Sequence, residues 1–150
     1  IIKNADMLDP IYEIDTDELP TEIISCSEEF AHIHKQLKMA EKQNLSELLK
    51  LGYRKATEQL VWDYLIKFKG KTESELQKIS FPNRIKLLNL PESDWLSDLI
   101  SWVGNDGAHP YQRHEALTNN DMKTLSNILI SNIGTLIQQH NYKSYHSENK

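Results

Sequence analysis

Two stretches of the chain concentrate side chains that can do chemistry. The first is Gly52-Tyr53-Arg54-Lys55-Ala56-Thr57-Glu58-Gln59-Leu60. Arg54 and Glu58 stand four apart, which places them on one face of a helix. At an exposed site such a pair contributes only a few tenths of a kcal/mol. Arg54 lies one residue from an apolar stripe, so a half-buried position is expected, where removing one partner would strand a charge away from water. The second stretch is Ser101-Trp102-Val103-Gly104-Asn105-Asp106-Gly107-Ala108-His109-Pro110-Tyr111. Its two glycines flank Asn105 and Asp106 and let the backbone turn sharply or approach a ligand closely. His109 follows, restrained by Pro110, and an imidazole transfers protons near neutral pH. Tyr111, Arg113 and His114 add donors within five residues. Each stretch also has a plainer reading. Arg54 and Glu58 can be a helix-stabilising ion pair. Asn105 can cap a helix end while His109 donates to a backbone carbonyl and locks the loop.

Other constellations carry less. His32 and His34 are two apart on a helix and cannot face one metal. His109 and His114 have only Asp106 and Glu115 as acidic neighbours, so neither a metal nor a cofactor is expected. Cys26 is the single cysteine, which excludes an intrachain disulfide and reads as a small core residue. No phosphate-cradling glycine loop, nucleophile elbow or dinucleotide fingerprint occurs. Lys67, Lys69, Lys71, Lys78, Arg84 and Lys86 face only Glu73 and Glu75 in their stretch. Such a run either tracks a phosphate backbone or forms a solvated face. Trp62, Trp95 and Trp102 fall at helical core spacing and read as packing.

These groups sit in a chain of 150 residues, 39% hydrophobic and 26% charged, with a net charge of -5. That is one ordinary globular domain, not comfortably two. The charge is uneven. Residues 1–29 carry nine acids against Lys3, leaving thirteen acids against sixteen bases in residues 30–150. An acidic leader therefore precedes a mildly basic body, which permits nucleic-acid contact without predicting it. No apolar run is long enough to span a membrane. The chain opens on Ile1 without a signal region, so it is expected to be part of a longer cytoplasmic protein.

The positioning elements are expected to be helical. Pro10 and Pro20 mark residues 1–20 as an extended acidic leader. A capping box of Ser25 with Glu28 should start a helix over 26–43 carrying Phe30, Ile33, Leu37 and Ala40. Asn44 or Ser46 should open a longer helix to Lys69, stopped at Gly70. Thr72 with Glu75, and Ser80 with Pro82, begin two short helices. Ser93 opens a helix with Trp95, Leu96, Leu99, Trp102 and Val103, which the run Gly104–Gly107 should end or distort. Thr118 with Asp121 caps the last long helix, and the polar tail after His140 should fray. No alternating segment supports a strand. The fold class is all-α: a bundle of four to five helices over 21–140, with a polar tail over 141–150.

Taken together, the two stretches resemble the HEPN superfamily of helical bundles. More closely they resemble an uncharacterised bacterial branch found behind small zinc ribbons or attached to restriction subunits. The shared features are the helix start Gly52-Tyr53-Arg54-Lys55-Ala56-x-Glu58-x-Leu60 and the later Gly104-Asn105-x-x-Ala108-His109, with similar order and spacing from Leu19 to Ile137. The resemblance implies a bundle that pairs with itself or docks on a larger host protein and contacts RNA. Active members are metal-independent ribonucleases that use an arginine, a short spacer and a histidine. The histidine moves a proton at the 2′-hydroxyl or leaving oxygen, and the arginine neutralises charge on the phosphate. Here the arginine is missing, because Ser101, Trp102, Val103 and Gly104 occupy the places before His109 where it would stand. The resemblance thus implies an interaction and assembly module of a bacterial defence or nucleic-acid-processing protein, degenerate in catalysis. Two alternatives stay open. One is a ribonuclease using His109 with Arg54 or Arg113. The other is a purely structural bundle in which Arg54, Glu58, Asn105 and His109 form a buried polar lock. The catalytic pair is expected to be Arg54 and His109, close in space on facing helices, with Glu58, Asn105, Asp106, Tyr111 and Arg113 around them.

Overall fold

The computed structural model of the chain describes residues 19–91, 93–108 and 118–150; at 101 and 103–108 it describes the backbone course alone. Among the described residues the regular elements are all helical: α1 (Thr21–Cys26), α2 (Glu28–Lys42), a 3-10 turn (Ser46–Leu48), α3 (Leu49–Lys69), α4 (Glu73–Gln77), α5 (Phe81–Lys86), α6 (Ser93–Ala108) and α7 (Asn119–Glu148). The all-α bundle expected from the sequence is what the chain forms. The long α3 is its axis and packs against α2, α6 and α7, while α5 lies against both α6 and α3.

Burial explains that arrangement. Tyr53, Ala56, Leu60, Val61, Tyr64 and Leu65 of α3 are all buried, and they recur at the three-and-four spacing of one helix side. They meet Phe30 and Leu37 from α2, Leu96 and Ile100 from α6, and Leu129 and Ile133 from α7 in one core. Gly52 lets the Leu37 side chain of α2 lie directly against the α3 backbone, since a Cβ there would stand 2.5 Å from Leu37 Cδ2.

The helix ends show where local signals prevailed. Thr72 and Glu75 form the expected capping box, as do Thr118 and Asp121. Gly70 adopts φ 66°, a left-handed conformation that glycine reaches without a Cβ penalty, and ends α3 as expected. Three expectations need correction. The cap of α2 is Ser27, whose hydroxyl accepts from the Phe30 N–H at 3.1 Å, and not Ser25 with Glu28. Ser25 lies inside α1, a helix held by burial of Ile23 and Cys26. Of the two expected openers of α3, Asn44, at φ 58°, lies outside the helix, while Ser46 begins the 3-10 turn that leads directly into α3, which starts at Leu49 without a side-chain cap. The Gly104–Gly107 run does not end α6, because the helix continues to Ala108. Glycine permits a turn and weakens a helix by about 1 kcal/mol, but helical φ and ψ remain open to it.

Helix α7 also runs beyond the expected fraying point at His140, to Glu148. Ile137 is its last buried residue, and Tyr142 and Tyr145 are exposed. Its anchor at this level is Phe68 of α3, which meets the His140 ring edge-to-face at 5.1 Å. No helix among the described residues is long and apolar enough to cross a membrane.

Candidate functional site

Arg54 and Glu58 project from the same side of α3, as their spacing predicts. The Arg54 Nε donates to Glu58 Oε1 at 2.9 Å, and both side chains are half-buried. The Arg54 guanidinium carbon also lies 5.7 Å from the ring centroid of Phe81, the first residue of α5. That is within cation–π range. Arg54 therefore ties α3 to α5 as well as pairing along its own helix. Thr57, between the two, is buried and turns its hydroxyl back to the Tyr53 and Arg54 carbonyls.

One turn further along α3 the same side becomes a cleft of about 310 Å³, lined by Lys55, Glu58, Gln59, Trp62 and Arg84. Arg84 is held twice. Its Nε donates to the Leu76 carbonyl at 3.1 Å, and its guanidinium carbon lies 4.9 Å from the Trp62 ring centroid. Sequence reasoning placed Arg84 only in a basic run and Trp62 only in the core. Nothing in either residue's local pattern announces their meeting, because they are 22 positions apart. The pairing required the chain to turn back through α4 and α5.

The expected partners of Arg54 fare differently. Asn105 and Asp106 belong to the last turns of α6, where the backbone course alone is described. His109, Tyr111 and Arg113 lie outside the described residues. The expected proximity of Arg54 and His109 therefore stays an expectation.

The basic run divides by role. Lys67 donates to the Cys26 carbonyl at 2.6 Å, satisfying the C-terminal end of α1. Lys86 reaches Asp94 at 3.7 Å across an exposed gap. With Arg84 bound to Leu76, two of the six bases hold backbone carbonyls, and the run is not one continuous solvated face. Cys26 is buried, with its thiol pushed up to about 11 from 9.0. Burial is the main cause. The Lys67 ammonium opposes it, and the Asp63 carboxylate adds to it. Such a thiol is a core residue, as expected, and a poor nucleophile.

Two of the three tryptophans depart from expectation. Trp95 is 44% exposed and Trp102 is 41% exposed. They stand seven apart on α6 with the partly buried Leu99 between them, so α6 shows an apolar stripe outward as well as the Leu96–Ile100 stripe that enters the core. The expectation failed because both stripes have helical spacing, and periodicity does not say which one the bundle covers.

Among the described residues no group of three His, Cys, Asp or Glu side chains could hold a metal. Comparison with family models, with curated proteins and with solved structures finds no match to this chain.

Proposed function

We propose that the chain is a HEPN-like interaction and assembly module of a bacterial defence or nucleic-acid-processing protein, and that it pairs with a second copy of itself. The observation that carries the pairing is the stripe on α6 formed by the exposed Trp95 and Trp102 with the half-buried Leu99 between them. Its i, i+4, i+7 spacing is that of a helix–helix seam. Two large aromatic residues more than two-fifths exposed leave apolar surface that association would remove from water. In a two-fold arrangement the stripe packs on its own copy, so one self-complementary face suffices. The engagement of Arg54 with Glu58 and Phe81 supports a structural task for that arginine over a phosphate-stabilising one.

Sedimentation velocity tests the reading. The chain should sediment as a dimer in the micromolar range, and Trp95→Ala with Trp102→Ala should shift it to monomer with helical content retained. A wild-type monomer, or a dimer indifferent to the double substitution, refutes pairing through α6. Incubation with mixed RNA in the presence of EDTA tests the absence of catalysis. Cleavage that disappears in His109→Ala would replace this reading with the metal-independent ribonuclease.

A further inference from the structure

We infer that the cleft between α3 and α5 is a binding site for the phosphate ester of a nucleotide, with Arg84 and Lys55 as its anion-holding groups. The argument begins with Arg84. A guanidinium has five N–H donors. Here one of them, on Nε, is taken by the Leu76 carbonyl, and the guanidinium carbon lies over the Trp62 ring, 4.9 Å from its centroid. No ion pair joins Arg84 to an acid among the described residues. Its two terminal amino groups thus remain as donors on a side chain already fixed in direction. A pre-positioned fork of this kind loses little rotamer freedom on meeting an oxyanion and matches two phosphate oxygens at once.

The surroundings add to this. Lys55 lines the same cleft, is exposed, and likewise has no acidic partner among the described residues. The one carboxylate in the lining, Glu58, is occupied by Arg54 Nε at 2.9 Å. The charged groups of the lining, Lys55 and Arg84 against Glu58, are therefore net cationic, in a protein whose net charge is -5. The Trp62 ring, with the Arg84 guanidinium beside it, offers a surface on which a base can lie, as bases do on aromatic rings and guanidinium planes. Gln59 supplies an amide to the same lining, although its Nε2 donates to Asp63 at 3.1 Å. A cleft of about 310 Å³ is at the small end of ligand sites, which suits one nucleotide, free or as a unit of a single strand. This inference does not depend on self-pairing through α6.

The test uses the full chain with Trp95→Phe and Trp102→Phe, which leaves Trp62 as the only indole. Two probes separate the sources of the phosphate: adenosine monophosphate, and a labelled single-stranded oligoribonucleotide of about ten nucleotides. Binding of at least one at low salt should quench Trp62 emission. Lys55→Glu should weaken that binding about tenfold, since it replaces an attraction by a repulsion at contact distance. Lys150→Glu, the same charge change at the exposed C-terminus, should weaken it far less. Lys55 makes no contact the fold needs, so its variant should keep the parent's helical signal. Lys55-dependent binding of the mononucleotide identifies a free nucleotide as ligand, and dependence with the oligonucleotide alone identifies a strand. Lack of binding by either probe overturns the inference, as do equal losses in the two lysine variants or binding without any change at Trp62.

Discussion

Replacing Gly52 by alanine sets two effects of known sign against each other. Gly52 lies in the first turn of α3, and alanine there gains about 1 kcal/mol of helix propensity. The new Cβ would stand 2.5 Å from Leu37 Cδ2 and 3.7 Å from its Cγ. An ordinary carbon–carbon contact is about 3.5–4.0 Å, so the methyl must retreat by roughly 1 Å or more. Leu37 is 6% exposed and sits in the core cluster, which leaves little room for that retreat. Overpacking of this kind costs about 1–3 kcal/mol. The clash should win, with a net loss of about 1 kcal/mol and a fall in Tm of about 2–4 °C for a chain of this size. Urea denaturation followed by far-ultraviolet circular dichroism reads the change. The decisive arm is the same substitution in a Leu37→Ala background. That background is itself destabilised by about 2–5 kcal/mol, but it no longer holds the methyl that Cβ meets. There Gly52→Ala should stabilise by about 1 kcal/mol, giving a coupling of about 2 kcal/mol between the positions. If Gly52→Ala is stabilising in the wild-type chain, or equal in both backgrounds, the close approach of α2 and α3 is not what requires glycine.

Three further outcomes follow from Ser27 and Cys26. Ser27→Ala removes the cap of α2 and the hydroxyl that donates to Asp63 on α3; losing a cap costs about 1 kcal/mol, and the weakened Asp63 adds to it, for a total of about 1–3 kcal/mol by denaturant titration. A change below about 0.5 kcal/mol would mean that Ser27 is not the effective cap. Cys26, its thiol pushed up to about 11 from 9.0, should react with a neutral disulfide reagent near pH 8 about a hundredfold more slowly in the folded chain than in urea. The sign extends to stability. The folded state keeps this thiol protonated where the unfolded chain begins to lose its proton, so the Cys26 contribution is full below about pH 9 and is lost as pH rises towards 11. Cys26→Ala should flatten the stability profile of the chain in that window; an unchanged slope there would assign the loss to other groups.

What could be read in advance was whatever one helical turn decides. The capping boxes at Thr72 and Thr118 were legible because each hydroxyl and carboxylate answers to amides three residues away. The Gly70 stop was legible because a left-handed residue is costly for any side chain but glycine's hydrogen. The Arg54–Glu58 pair followed from a four-residue spacing. The all-helical class followed from apolar periodicity summed over long segments. The rest was settled by residues far apart in the chain. Ser27 displaced Ser25 as a cap because Asp63 and the core stand beside it. Arg84 found Trp62 only after the chain had turned twice through short helices. Trp95 and Trp102 stayed outside because the bundle covers one stripe of α6 and not the other. The physical reason is that side-chain-to-backbone bonds within a turn depend on local spacing alone. Which face of a helix loses its water depends on how every other helix packs, and neither charge nor periodicity of a single segment carries that information.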